Sequence, residues 1–303
     1  MKWSTKIART LASMRWTIGF VRGGMPSIMA GVNSEEGIVN SSQLQVDWVK
    51  MPKDRWFADP FILDVTEKEI LLLVEDVPYD VEDYKGRISL LHINRSTMEI
   101  TSRKVLLDKL THLSFPAIWR KEGHIYVYPE SGHSGQLDLY EYHPDAESLT
   151  FVRTICDDVV WDSYITEAFG EPLMFTAAHD DTILDIYRWD ENRSRFVPYL
   201  QIPSETPNSR MGGAVFEYKG EIYYPAQSCI RSYGEAIDIK RIRVESGRWK
   251  VESVLQIESP HPKYPLGLHT LNEYKGIVII DARGYCFGWV TALILKLMKI
   301  IKK

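Results

Sequence analysis

The sequence predicts an all-β fold, a five-bladed β-propeller built from four-stranded antiparallel blades. Three observations carry that expectation. A hairpin pattern recurs five times at a pitch of roughly 50 residues, a spacing found among propeller repeats. Two more strand-like segments follow each of the first four hairpins. Two strand-like segments near the N-terminus supply what the fifth unit lacks.

The hairpins are DPFILDVTEKEILLLVED (59–76), FPAIWRKEGHIYVYPES (115–131), DSYITEAFGEPLMFTAA (162–178), GAVFEYKGEIYYPAQS (213–228) and LHTLNEYKGIVIIDAR (268–283). In each, two apolar strands flank a polar turn. Lys-Glu-Gly, Phe-Gly-Glu and Tyr-Lys-Gly place glycine where a positive φ costs little. Third strands follow as GRISLLHI from Gly86, QLDLYEY from Gln136, TILDIYRW from Thr182 and IDIKRIRV from Ile237. SRKVLLD, LTFVRTI, RFVPYLQ and WKVESVL complete the four blades. The fifth unit has only its inner pair, so RWTIGFV (15–21) and LQVDWVK (44–50) are expected to finish it and close the ring, protecting the sheet edges. The Gly- and Ser-rich stretch 22–42 reads as a loop. With no low-complexity linker in between, residues 1–288 are assigned to one propeller.

Composition narrows the function classes. A hydrophobic content of 45% gives material for a large core, and 16 Tyr and 9 Trp suit both strands and sugar-stacking surfaces. The formal net charge of -5 leaves no basic excess for a phosphate backbone, so no nucleic-acid partner is expected. Cys156, Cys229 and Cys286 form neither a disulfide framework nor a CxxC metal pair, which favours a reducing compartment. No Gly-rich phosphate loop, dinucleotide fingerprint or nucleophile elbow occurs, and no cofactor is implied.

The two ends of the chain carry expectations of their own. Arg15 interrupts the one candidate apolar run near the N-terminus, so no secretion signal is expected. Residues 289–303, WVTALILKLMKIIKK, place Lys296, Lys299 and Lys303 at helical spacing among Leu, Ile and Met. This reads as a short amphipathic C-terminal helix suited to an anionic membrane surface. Packing on the domain, with lysines favoured at the helix C-terminus, is the simpler alternative. The membrane reading makes the protein cytoplasmic and peripheral on the inner face of the membrane.

In order along the chain, WFADPF, LVED, HLSFPAIWRKEGHIYVYPES, DSYITE, YPAQSC-IRSYG and GLHTLNEY resemble the propeller domain at the N-terminus of plant glucosamine inositolphosphorylceramide transferases. Similar domains occur in bacterial proteins of surface-polysaccharide loci. The domain is in turn similar to the five-bladed furanosidase propellers of arabinanases, β-xylosidases and invertases. That resemblance implies a carboxylate cluster at the axial end of the inner strands. Asp59 in FADPF matches the first-blade Asp that serves there as base or nucleophile. Asp162 in WDSYI matches the Asp that orients substrate and tunes its partner. The general acid has no match, because Arg210 in SRMGGAV stands on the fourth blade where a Glu is expected. Glu130 in YPES is the best substitute, Glu75 holds the corresponding place in blade one, and Glu167 reaches the mouth only if its turn does.

Glycoside chemistry needs such a set, one carboxyl to protonate the leaving oxygen and another to deliver water or attack. Arg210, His112, Gln227 and His269 add hydrogen-bond donors and positive charge that suit an anionic or phosphorylated sugar. His112 and His269, each just before an inner strand, read as equivalent. His179-Asp180-Asp181 is a loose metal motif that reads better as a turn, and no metal is assigned. Three functions remain open. The first is a carbohydrate-active enzyme working on a glycan, glycolipid or activated sugar through Asp59, Asp162 and Glu130. The second is a non-catalytic module presenting glycans to partner glycosyltransferases. The third is a protein-interaction scaffold.

Overall fold

The computed structural model describes residues 14–33, 44–79 and 84–285, and contains five four-stranded antiparallel sheets. Blade one is β3 (Arg55–Val65), β4 (Glu69–Pro78), β5 (Arg87–Asn94) and β6 (Ile100–Leu107). Blade two is β7 (Ser114–Lys121), β8 (His124–Glu130), β9 (Leu137–His143) and β10 (Ser148–Cys156). Blade three is β11 (Trp161–Thr166), β12 (Leu173–Ala177), β13 (Ile183–Asp190) and β14 (Arg195–Pro203). Blade four is β15 (Phe216–Tyr218), β16 (Glu221–Ser228), β17 (Ala236–Glu245) and β18 (Arg248–Glu258). Blade five joins β19 (Leu271–Tyr274) and β20 (Ile277–Tyr285) to β1 (Met14–Val21) and β2 (Val46–Trp48), in the order β19-β20-β1-β2.

The N-terminal strands close the ring in the way the sequence predicts. β1 runs antiparallel to β20 from Met14↔Tyr285 to Val21↔Val278, and β2 pairs with β1 on its outer side. The glycine turns also behave as expected. Glu122-Gly123, Lys219-Gly220 and Lys275-Gly276 have both residues at positive φ, the backbone that a two-residue hairpin of right-handed twist requires. The inner faces of the blades are apolar and fuse into shared cores, with Phe61, Phe115, Ile165 and Tyr224 buried in one of them. Cys156 and Cys229 are free thiols.

One segment departs from expectation. The described part of 22–42 is helical, with α1 (Gly24–Met29) followed by a 3-10 turn at Ala30–Asn33. Gly23 and Gly24 both have positive φ and turn the chain off β1. Met25, Ile28 and Met29 then fall on one helical face and pack in the same cluster as Ile237, Ile257, Leu271 and Val278. Composition suggested a loop, and tertiary burial of three apolar side chains overrides it. The amphipathic helix expected over 289–303 lies outside the described residues. Among those residues no helix is long and apolar enough to cross a membrane.

Candidate functional site

Three of the five inner strands carry the same irregularity at the end facing the mouth of the axis. Asp59, Phe115 and Asp162 adopt positive φ values of 48°, 42° and 47°. The register slips beside each of them, between Ala58 and Phe61, Ser114 and Pro116, and Trp161 and Tyr164. A bulge of this kind re-aims a side chain, and a left-handed non-glycine residue costs about 1–3 kcal/mol, so it persists only where its surroundings impose it.

The surroundings are the neighbouring blades. Asp59 accepts the Phe115 N–H from blade two at 3.0 Å and the Thr270 hydroxyl from blade five at 2.8 Å. Glu130 of blade two accepts the Asp162 N–H of blade three at 2.9 Å. Gln227 of blade four donates to Asp162 at 2.6 Å. Blades four and five meet through Leu271 N–H on the Gly212 carbonyl at 2.8 Å. On the fourth blade a Cβ on Gly213 would stand 2.0 Å from the Leu271 oxygen, so only glycine fits there. Each junction of the ring therefore passes through the mouth, and carboxylates carry most of them.

Asp59 belongs to a buried acid–histidine–acid row. His269 Nδ1 donates to Asp281 at 2.6 Å, while its Nε2 lies 3.6 Å from Asp59. All three groups are 5% exposed or less. Burial works against a charge on His269, but the carboxylates of Asp281 and Asp59 outweigh it and raise the imidazole to about 9. The Trp16 ring, stacked on the imidazole at 3.8 Å and 17°, favours the cation further. Asp59 is pushed up to about 7, first by burial and then, against the pull of His269, by the charges of Glu75, Asp162 and Asp281.

Asp162, Glu130 and Arg210 form the second group. The Arg210 guanidinium binds Asp162 through Nε and reaches Glu130 Oε2 through Nη2 at 3.4 Å. Burial and the adjacent Asp162 charge hold Glu130 well above the usual carboxylate range despite Arg210. Its Oε2 is committed as an acceptor to Asp162 N–H and Arg210. A side-chain hydrogen bond with the Asp162 carboxyl favours the protonated form of Glu130 as well. Gln227 is fully buried, and its carbonyl oxygen has no partner among the described residues. An orphaned acceptor at a mouth of this kind suits a ligand hydroxyl.

The remaining candidates sit around these two groups. His112 Nδ1 accepts the Gly86 N–H at 2.9 Å, so Nε2 carries the ring hydrogen and donates to Glu75 at 3.0 Å. The two histidines are not equivalent as the sequence suggested. The His112 side chain is 41% exposed at the rim, whereas that of His269 is 4% exposed in the centre. Tyr233 lies edge-on to His269 and over Arg210, and is 44% exposed. Glu167 stays away from the mouth, accepting the Trp119 indole N–H at 3.1 Å. His179 forms part of a turn and pairs with Asp185.

Sequence reasoning missed Asp281, Thr270 and Trp16. For Asp281 a signal was available, since it ends the apolar run IVII on the second strand of its blade, as Glu75 and Glu130 do on theirs. No metal was expected. Asp59, His269 and Asp281 nevertheless offer three ligand atoms within 4.8 Å of one another. His269 already donates its Nδ1 proton to Asp281 there and faces Asp59 with Nε2, so a cation would have to displace the ring protons.

Solved structures share this architecture. A thermostable family-43 glycoside hydrolase superposes with a TM-score of 0.52 at 14% identity, over 72% of this chain and 84% of its own. A family-43 β-xylosidase/α-arabinofuranosidase from a compost microbial metagenome gives 0.50 at 12% identity, over 78% and 92%. At such identities the likeness is one of fold. A five-bladed ring with acids gathered at its mouth defines the class, a carbohydrate-related propeller protein. The sequence model described as glucosamine inositolphosphorylceramide transferase 1, N-terminal, matches residues 49–263, more than two thirds of the chain, and the chain belongs to that family. The Arabidopsis thaliana glucosamine inositolphosphorylceramide transferase 1 is 29% identical over 152 residues, 47% of this chain and 20% of the relative. The enzyme of the same name from Oryza sativa subsp. japonica is 24% identical over 206 residues, 62% of this chain and 26% of the relative. The match thus spans about a quarter or less of these relatives.

Proposed function

We propose that the mouth of the propeller is a carbohydrate-active site that cleaves or transfers a glycosyl unit of a glycan, glycolipid or activated sugar. In this reading Glu130 is the acid, Asp59 the base or nucleophile, and Asp162 the group that orients the sugar. The observation that carries it is Glu130. Its burial beside Asp162, together with a hydrogen bond to the Asp162 carboxyl, raises it well above the usual carboxylate range and so favours the protonated form. A carboxylic acid held neutral near pH 7 is what departure of a sugar oxygen requires. Asp59, raised to about 7, supplies the complementary group at the same mouth. Surface-polysaccharide assembly is the setting we infer from the family.

Arg210 favours a second reading. Its guanidinium is engaged with both Asp162 and Glu130 on the blade where an acid was expected, as suits a module that grips glycans without chemistry and presents them to partner glycosyltransferases. The experiment is a screen of wild type and Asp59→Asn against oligosaccharides and activated sugars, with binding by calorimetry and products by mass spectrometry. The enzyme reading expects turnover by wild type, with binding retained and turnover lost in Asp59→Asn. Binding without turnover by wild type leaves the presenting module, and no binding at all overturns both.

For residues 289–303 we propose attachment to an anionic membrane surface, on the strength of the lysine spacing alone. Deleting them is expected to release the protein from phosphatidylserine vesicles in a sedimentation assay. Equal sedimentation of the truncated and full chains refutes the attachment.

A further inference from the structure

A half-open cavity lies between blades three and four, under the crossover that carries the chain from β14 to β15. Its volume is about 330 Å3. Blade four forms one wall as a row across its strands, with Tyr224 on β16 opposite Lys240 on β17, and Lys240 opposite Ser253 on β18. The crossover loop contributes Asn208, and Leu184, Ile202 and Val251 make the apolar part of the lining.

The polar groups of this wall are incompletely satisfied. Lys240 is 3% exposed and has three ammonium hydrogens to place. One goes to Asn208 Oδ1 at 2.8 Å, an oxygen that also accepts from Ser204 at 2.7 Å. Asn208 passes its own Nδ2 hydrogen to Asp238 at 2.6 Å. Among the described residues no hydrogen bond is made by the other two ammonium hydrogens. Tyr224 is fully buried, and its hydroxyl has no hydrogen-bond partner among the described residues. A buried hydroxyl left unpaired forfeits its hydrogen bonds to water, so natural proteins leave few of them. Both residues line one cavity, and each carries a donor that no described group accepts.

We propose that this cavity binds the carboxylate or phosphate group of a small organic molecule, with Lys240 and Tyr224 donating to the oxyanion and Leu184, Ile202 and Val251 facing its apolar part. The space exceeds what an inorganic ion fills, which leaves room for that body. Burial pushes the Lys240 amine down to about 8, and the charge of Asp238 does not restore it. An oxyanion would do so. Besides Lys240 and Tyr224, the titratable group lining the space is Glu205, on the exposed loop between β14 and β15. This site is separate from the axial mouth, and its test does not depend on any activity there.

Reductive methylation with formaldehyde, read by peptide mass spectrometry on the full chain, measures access to the Lys240 amine. Exposed Lys219 serves as internal control. Acetate and inorganic phosphate are the two probes, and glucose is the neutral comparison. Saturating acetate or phosphate is expected to slow modification of Lys240 about tenfold relative to Lys219, with no effect of glucose. Acetate alone protecting assigns a carboxylate ligand, and phosphate alone a phosphate ester. Tyr224→Phe removes only the orphaned hydroxyl, so its melting temperature should match or exceed that of wild type, while the protecting anion binds about tenfold more weakly. Equal modification with and without both anions overturns the proposal. So does equal protection by glucose, or a Tyr224→Phe protein protected as well as wild type.

Discussion

Replacing Asp281 by alanine is expected to destabilise the propeller by about 3–5 kcal/mol, the loss that follows when one partner of a buried ion pair is removed. The residue has no exposed surface. Its two oxygens take the His269 ring N–H at 2.6 Å and the backbone N–H groups of His269, Thr270 and Asp59 at 2.9, 3.1 and 3.4 Å. Alanine strands all four donors and leaves the imidazolium facing Asp59 alone. In a chain of this size each kcal/mol lowers the melting temperature by about 2–4 °C, so the change is large in a thermal scan as well as in urea. Asp281→Asn keeps the shape but surrenders the charge, and should fall between alanine and wild type. A loss below roughly 1 kcal/mol for alanine would mean that this carboxylate does not hold the row together.

The second large effect is a loss of stability at alkaline pH. His269 is raised from 6.5 to about 9 in the folded protein. A group raised on folding contributes its full stabilisation below its unfolded value and loses it as the pH climbs through the folded one. The contribution of His269 is therefore complete below about 6.5 and fades up to about 9; a difference near 2.5 pK units corresponds to roughly 3 kcal/mol. Asp59 acts in the same direction at lower pH. Raised from 3.8 to about 7, it holds its proton in the folded state over a range where an unfolded aspartate has lost it. Stability should consequently decline from mildly acidic to alkaline conditions, and urea midpoints at successive pH values measure the slope. Asp281→Ala should flatten the upper part of that slope. A wild-type midpoint that rises between pH 6.5 and 9 would contradict a buried imidazolium.

The blades were legible because each is a local statement. A hairpin such as EYKGEIYY carries its turn, its alternation and its apolar ends within a short stretch, and five copies reinforce one another. Closure by β1 and β2 followed from counting strands. Helix α1 was hidden because its reason for existing lies on other blades, in Leu271 and Ile257, rather than in GMPSIM itself. The site divides in the same way. Asp59 and Asp162 follow from the resemblance to the furanosidase propellers, with Glu130 as the substitute for the acid that has no match. What surrounds each of them does not, since Thr270 and Asp59 are 211 residues apart and Arg210 reaches Glu130 across 80. Lys240 reads as an ordinary outward lysine in IDIKRIRV. Only the neighbouring blade, packed over it, makes that lysine a buried amine.

The shared fifth sheet has a consequence for synthesis. During translation β1 emerges first, yet its partner Tyr285 comes 271 positions after Met14. The edge of β1 that faces β20 must wait unpaired while four blades form beside it. Joining such distant segments costs chain entropy that rises only with the logarithm of the intervening length, so the bond is affordable but late. Propellers of this design should fold slowly, and a ribosome stalled before β20 should hold a ring with an open seam and an exposed adhesive edge.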